Sequence, residues 1–172
     1  EDQNFYAHPG VDPVGVARAM VTNIQNLGTG RRPEGASTIT QQVAQNFLLT
    51  KDVSIKRKIR EAIISFRIER AFTKDQILEL YLNEIYLGFG AYGVASAGLN
   101  YFGKSLTQLT PGEAAFLAAL PKAPNNYNPV TKQAAAVARR NYVLGRMAED
   151  GAITAEVAET LRKEPIRVVR SN

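Results

Sequence analysis

At 172 residues and 18.8 kDa the chain is one domain by length, or a domain with a small sub-lobe, and its 45% apolar content can bury a core. Cysteine is absent and histidine occurs once, which excludes a disulfide scaffold, a zinc–thiolate site, a thiol nucleophile and a His-rich metal centre. The 21 Lys and Arg against 16 Asp and Glu give +5 and a pI near 9.6, a balance suited to nucleic acid, a phosphate-bearing substrate or an anionic membrane face, or simply to a mildly basic solvated surface.

The predicted elements are helices almost throughout. Val14, Val16, Ala17, Ala19, Met20, Ile24 and Leu27 fit a helix that Pro13 opens and Gly28 closes. Residues 28–35 carry three glycines and a proline and read as a flexible basic loop. Ser37 then caps a helix bearing Ile39, Val43, Phe47 and Leu48. Ile55, Ile59, Ala62, Ile63 and Phe66 repeat at helical spacing and predict a long helix from Ile55 to Ala71. Thr73 and Gln76 form a capping box for a helix carrying Ile77, Leu78, Tyr81, Leu82 and Ile85. Leu87 to Tyr101 is rich in Gly and Tyr and reads as a loop. Thr110-Pro111-Gly112-Glu113 starts an Ala-rich helix that Pro121 stops, and 121–129 is a proline-rich loop. Two more helices follow, over Lys132–Glu149 and Ala155–Lys163, and Val168-Val169 reads only as tail. The fold class is all-α, with two loops large enough to carry function. No run approaches the ~18–20 apolar residues of a membrane span. The chain opens at Glu1-Asp2 with no initiator Met or signal-like segment, as a piece cut from a longer protein would.

Three segments carry candidate chemistry. Residues 1–12 (EDQNFYAHPGVD) gather acids, two aromatics and the single histidine; aromatic walls around a carboxylate raise its pKa and suit acid–base work, although exposed acids near a helix end would read the same way. Glu61 lies four residues after Arg57 and three after Lys58, so a helix puts both cations on its face. Such a group can receive a diphosphate, or be an ordinary surface ion pair worth only ~0.3–0.5 kcal/mol. Residues 35–42 (GASTITQQ) pack three hydroxyls and two amides at a helix start, donors suited to sugar hydroxyls or phosphate oxygens; a helix cap alone explains Ser37 but not the whole cluster.

EDQNFYAHPGVD (1–12), GASTITQQ (35–42), RKIRE (57–61), ILELYLNEIYLG (77–88) and ARRNYVL (138–144) occur in an order that resembles the glycosyltransferase family 51 domain, the peptidoglycan glycosyltransferase of class A penicillin-binding proteins. LPKAPNNYNP (120–129) is similar to the bifunctional enzymes of that class. The resemblance implies a lysozyme-like large lobe with a smaller jaw lobe against the membrane, the whole chain being one glycosyltransferase domain. It implies lipid II and the growing lipid-linked glycan strand as substrates, β-1,4 bond formation with inversion, and release of undecaprenyl diphosphate. It implies Glu1 and Glu61 as the catalytic pair, Glu1 as general base and Glu61 on the donor side, where it orients Arg57 and Lys58 or helps to hold a divalent cation, with Asp2 ordering the motif at the substrate site. Arg57, Lys58 and Lys122 are then expected at the leaving diphosphate, and Ser37, Thr38, Gln41, Gln42 and Asn46 along the donor cleft, with Phe5, His8 and Asn83 in support. No cofactor is required by the resemblance, and a divalent cation (Mg or Mn) at the diphosphate is allowed. Moenomycin is the inhibitor class it implies. It also implies a membrane surface and no nucleic acid as partner, a C-terminal transpeptidase domain in the parent chain, and the outer side of the bacterial cytoplasmic membrane as location. Phe47, Leu48 and Leu49 are candidates for membrane contact, or for core. Gln45 stands where many family members carry Lys or Arg, which makes a phosphate contact there neutral or supplied from elsewhere. Two competing readings are a lysozyme-like hydrolase or lytic transglycosylase, against which the basic residues beside Glu61 argue, and a non-catalytic anion- or membrane-binding module.

Overall fold

The structure is a computed structural model that describes residues 1–31, 35–48 and 52–169. It is all-α, as the periodicity predicts: among the described residues the one β feature is an isolated antiparallel bridge between Tyr86 and Tyr92. The chain forms two compact units, Glu1–Tyr81 and Leu82–Asn172, where the length alone also allowed one.

In the first unit, α1 (Pro13–Gln25) starts where Pro13 fits, with the Asp12 carboxylate accepting from Val14 N at 3.1 Å. It ends before Gly28, at Asn26. α2 (Ile39–Gln45) begins one residue later than the sequence places it. Thr38 is the cap, because its Oγ accepts from Gln41 N at 3.0 Å while the Gln41 side chain returns to Thr38 N at 2.9 Å. Ser37 is left outside the helix. α3 (Ile55–Ala71) has the predicted ends, with Ser54 as its cap. α4 (Lys74–Glu84) follows from the Thr73–Gln76 capping box and runs across the unit boundary.

The periodicity located α3 but not its inner side. Its buried residues are Glu61, Ser65 and Ile68, whereas Ile55, Ile59, Ile63 and Phe66 are exposed. On α1 likewise Gly15 and Ala19 are buried, and Val16, Met20 and Ile24 face outward. The core between α2 and α3 is built partly from polar groups: Thr38, Thr40, Gln41, Glu61 and Ser65 join Ile39, Val43, Ala44 and Ile68.

In the second unit the stretch read as a Gly/Tyr loop is structured. It holds α5 (Val94–Ala97) and a wide π turn over Gly98–Phe102. Gly93 makes this possible: its φ is +82°, and a Cβ there would sit 2.4 Å from the Asn83 carbonyl oxygen. Tyr101 is buried, packs edge-on against Phe116 and donates to the Leu87 carbonyl at 2.6 Å. α6 (Pro111–Ala119), α7 (Gln133–Glu149) and α8 (Ala155–Arg162) complete the unit around Phe102, Phe116, Leu117 and Leu120. Arg140, from the ARRNYVL motif, is buried and donates to Asn141 Oδ1 and the Arg162 carbonyl, tying α7 to α8. The tail is held too: Val168 packs on the core, and Val169 N donates to the Tyr101 carbonyl at 2.8 Å.

Candidate active site

The opening segment of the first unit is braced from several sides. Gly10 adopts φ +118° and lies against the α3 backbone, where a Cβ would meet Ser65 at 3.2 Å. Its carbonyl accepts from Thr38 Oγ at 2.7 Å, and its N–H donates to His8 Nδ1 at 3.0 Å. The hydrogen of the His8 ring is therefore on Nε2 and is donated to Asp2 Oδ2 at 2.7 Å. The same Asp2 oxygen accepts from Ile39 N at 2.9 Å, at the start of α2. From the other side Lys74 donates to the His8 carbonyl at 2.6 Å and to Glu69 at 2.7 Å, and lies over the Phe5 ring. Thr40 donates to that same Glu69 oxygen at 2.7 Å. Asp12 ends the segment, and its carboxyl is held below the usual carboxylate range by the Gly15 N–H, then by the Asn4 amide and the Val14 N–H, against the opposing effect of burial. The Asp2 side chain is only 3% exposed, so its neighbour Glu1 is the exposed acid of the pair, carried on a fixed support.

Glu61 is the opposite kind of carboxylate, 2% exposed. One oxygen accepts from Lys58 Nζ at 2.8 Å, the other from Gln45 Nε2 at 3.2 Å. Lys58 also donates to Ser37 Oγ at 2.9 Å, while its side chain stays 57% exposed. Glu61 and Ser37 thus hold an ammonium group in one place with its face open to water, the arrangement an incoming anion needs. Arg57 donates instead to the Asp52 carbonyl, and its Nε has no partner among the described residues.

The structure thus brings Ser37, Lys58 and Glu61 together. It commits the Thr38 hydroxyl and the Gln41 carbonyl to the α2 cap and leaves Gln42 half-buried and Asn46 exposed beyond them. Lys122 is exposed on the turn after α6, and Asn83 is exposed on α4, both in the second unit. Sequence reasoning missed the Gln45–Glu61 bond and the Lys74–Glu69 pair. Only the capping box at Thr73 marked the place of Lys74, and no spacing rule marks the other. Of the membrane-contact candidates Phe47 is 63% exposed and Leu48 half-buried, and Leu49 lies outside the described residues.

This chain is similar to known proteins over most of its length. The family profile described as Transglycosylase matches residues 1–148. Penicillin-binding protein 1A of Rickettsia felis is 59% identical over 96% of this chain and 21% of the relative. Penicillin-binding protein 1A of Escherichia coli is 52% identical over 96% of this chain and 19% of the relative. The crystal structure of penicillin-binding protein 1A from Haemophilus influenzae superimposes with a TM-score of 0.52 at 37% identity, over 83% of this chain and 18% of that one. The chain thus spans about a fifth of the length of the curated relatives it matches. With the fold and the ordered motifs, these matches show that the chain belongs to the transglycosylase family, the peptidoglycan glycosyltransferase domain of class A penicillin-binding proteins.

Proposed function

We propose that the chain polymerises lipid II, joining the acceptor's sugar hydroxyl to the donor's anomeric carbon with inversion. Glu1 takes the proton of the acceptor 4-hydroxyl, whose oxygen attacks the anomeric carbon as the bond to the diphosphate breaks. The electron pair leaves on undecaprenyl diphosphate. Lys58, fixed by Glu61 and Ser37, meets that charge. Glu61 acts here by holding Lys58 rather than by reacting. The observation that carries the reading is this contrast between an exposed acid on a rigid support and a buried acid that presents a cation. It also favours transfer over glycan hydrolysis, which has no diphosphate to neutralise.

A divalent cation at the diphosphate would find in Glu61 a carboxylate whose two oxygens already accept from Lys58 and Gln45. No group of three ligating side chains lies among the described residues, so this donor set does not fit a protein-held metal. The lipid of the substrate stays in the bilayer, which places the domain at the outer face of the cytoplasmic membrane. The outward apolar residues of α1 and α3 support that placement. No helix among the described residues is long and apolar enough to cross a membrane. In this reading the parent protein carries a membrane anchor and a transpeptidase domain.

The test is Glu1→Gln in the full-length protein. Polymerisation of labelled lipid II should fall at least ~100-fold, with donor binding far less affected. Near wild-type polymerisation would remove Glu1 from the role of base.

A further inference from the structure

Tyr81 is 6% exposed, and its hydroxyl is shut off from solvent with no hydrogen-bond partner among the described residues. A buried hydroxyl without a partner is unfavourable, whereas phenylalanine would fill the same space without that penalty. The position of Tyr81 explains what the hydroxyl is for. Lys74, Ile77 and Tyr81 share one face of α4. At the start of that face Lys74 grips Phe5 and His8, and beside it Asp75 accepts from Tyr6. Tyr81 follows two turns on, about 10 Å along the helix, where the charges of Glu1 and Asp2 act on it. Burial, then the negative charge of Glu1, then that of Asp2 push the Tyr81 phenol well above its ordinary value, so it stays protonated and can donate. Asp2 already has one oxygen committed to His8 and Ile39 and is fixed in place. Glu1 is the exposed member of the pair.

We infer that Tyr81 is a positioning residue for the base: its hydroxyl donates to one oxygen of the Glu1 carboxylate when the acceptor is bound, leaving the other oxygen turned toward the acceptor hydroxyl. This rests on Glu1 being the base.

The experiment uses Tyr81→Phe, Glu1→Gln and the double variant of the full-length protein, with lipid II as substrate. Tyr81→Phe should melt at or above the wild-type temperature, because it removes an unsatisfied group. Its kcat should nevertheless drop roughly ten- to a hundredfold with KM little changed, the size of a lost hydrogen bond to a charged group. The double variant should be no slower than Glu1→Gln alone, since both changes act on one group. Wild-type kcat in Tyr81→Phe overturns the inference, and so does a kcat loss that comes with a lowered melting temperature, which marks a packing role. Additive losses in the double variant overturn it as well. If Glu1→Gln itself polymerises normally, the reading of Glu1 as base is what fails, and this inference falls with it. If Glu1→Gln is inactive and Tyr81→Phe is normal, only the inference fails.

Discussion

Glu61 carries a charge into the first unit's core, and Lys58 and Gln45 together offset its desolvation. Lys58→Met leaves that carboxylate with one donor. The expected loss is about 1–3 kcal/mol, below the ~3–5 kcal/mol of a fully buried pair because Lys58 is half in water. Adding Glu61→Met should restore most of it, and urea unfolding of the two single variants and the double variant measures the coupling. Spacing predicted the Lys58–Glu61 pair, since three residues on a helix bring the side chains together. It did not predict Gln45, which reaches Glu61 from another helix. Asp12 gives a pH signature. Its folded pKa is lowered, so its contribution to stability is present above the unfolded carboxylate value of about 4 and fades as pH falls through the lower folded value. Asp12→Asn should therefore narrow the gap in unfolding midpoint between pH 6 and pH 3, which denaturant titrations at both values would show.

At the scale of elements, caps were more legible than faces. The boxes at Thr73–Gln76 and Thr110–Glu113 are local hydrogen-bond patterns, and each helix begins where its box lies. The cap of α2 moved from Ser37 to Thr38 because tertiary contacts claim both hydroxyls: Thr38 Oγ donates to the Gly10 carbonyl, and Ser37 Oγ accepts from Lys58. Thr38→Val should cost about 1–2 kcal/mol for the cap, and more for the lost bond to Gly10, read by thermal melts. Gly10→Ala forces a side chain onto φ +118° and against Ser65. Because Gly10 also carries the His8 and Thr38 bonds, its polymerisation activity should fall even under conditions where circular dichroism shows the helices intact.

At the scale of the whole chain, the exposed apolar side chains of the first unit belong with the proposed membrane setting. Met20 and Ile24 on α1 and Ile59 and Ile63 on α3 are exposed although apolar. Met20→Glu with Ile59→Glu should reduce co-sedimentation with anionic lipid vesicles while leaving helicity unchanged, and undiminished co-sedimentation would remove these faces from membrane contact. The sequence by itself determined the fold class, most helix ends and, through five ordered motifs, the family, because periodicity, caps and motifs are short-range features of a chain. The tertiary structure decided which side of α1 and α3 is buried, that residues 87–101 form a packed element, and that Asp2, His8, Gly10 and Lys74 form one support. It also decided that the Tyr81 hydroxyl is buried without a partner among the described residues. These outcomes depend on contacts between residues far apart in the chain, and the apolar pattern alone cannot tell a helix side turned to a core from one turned to a lipid surface.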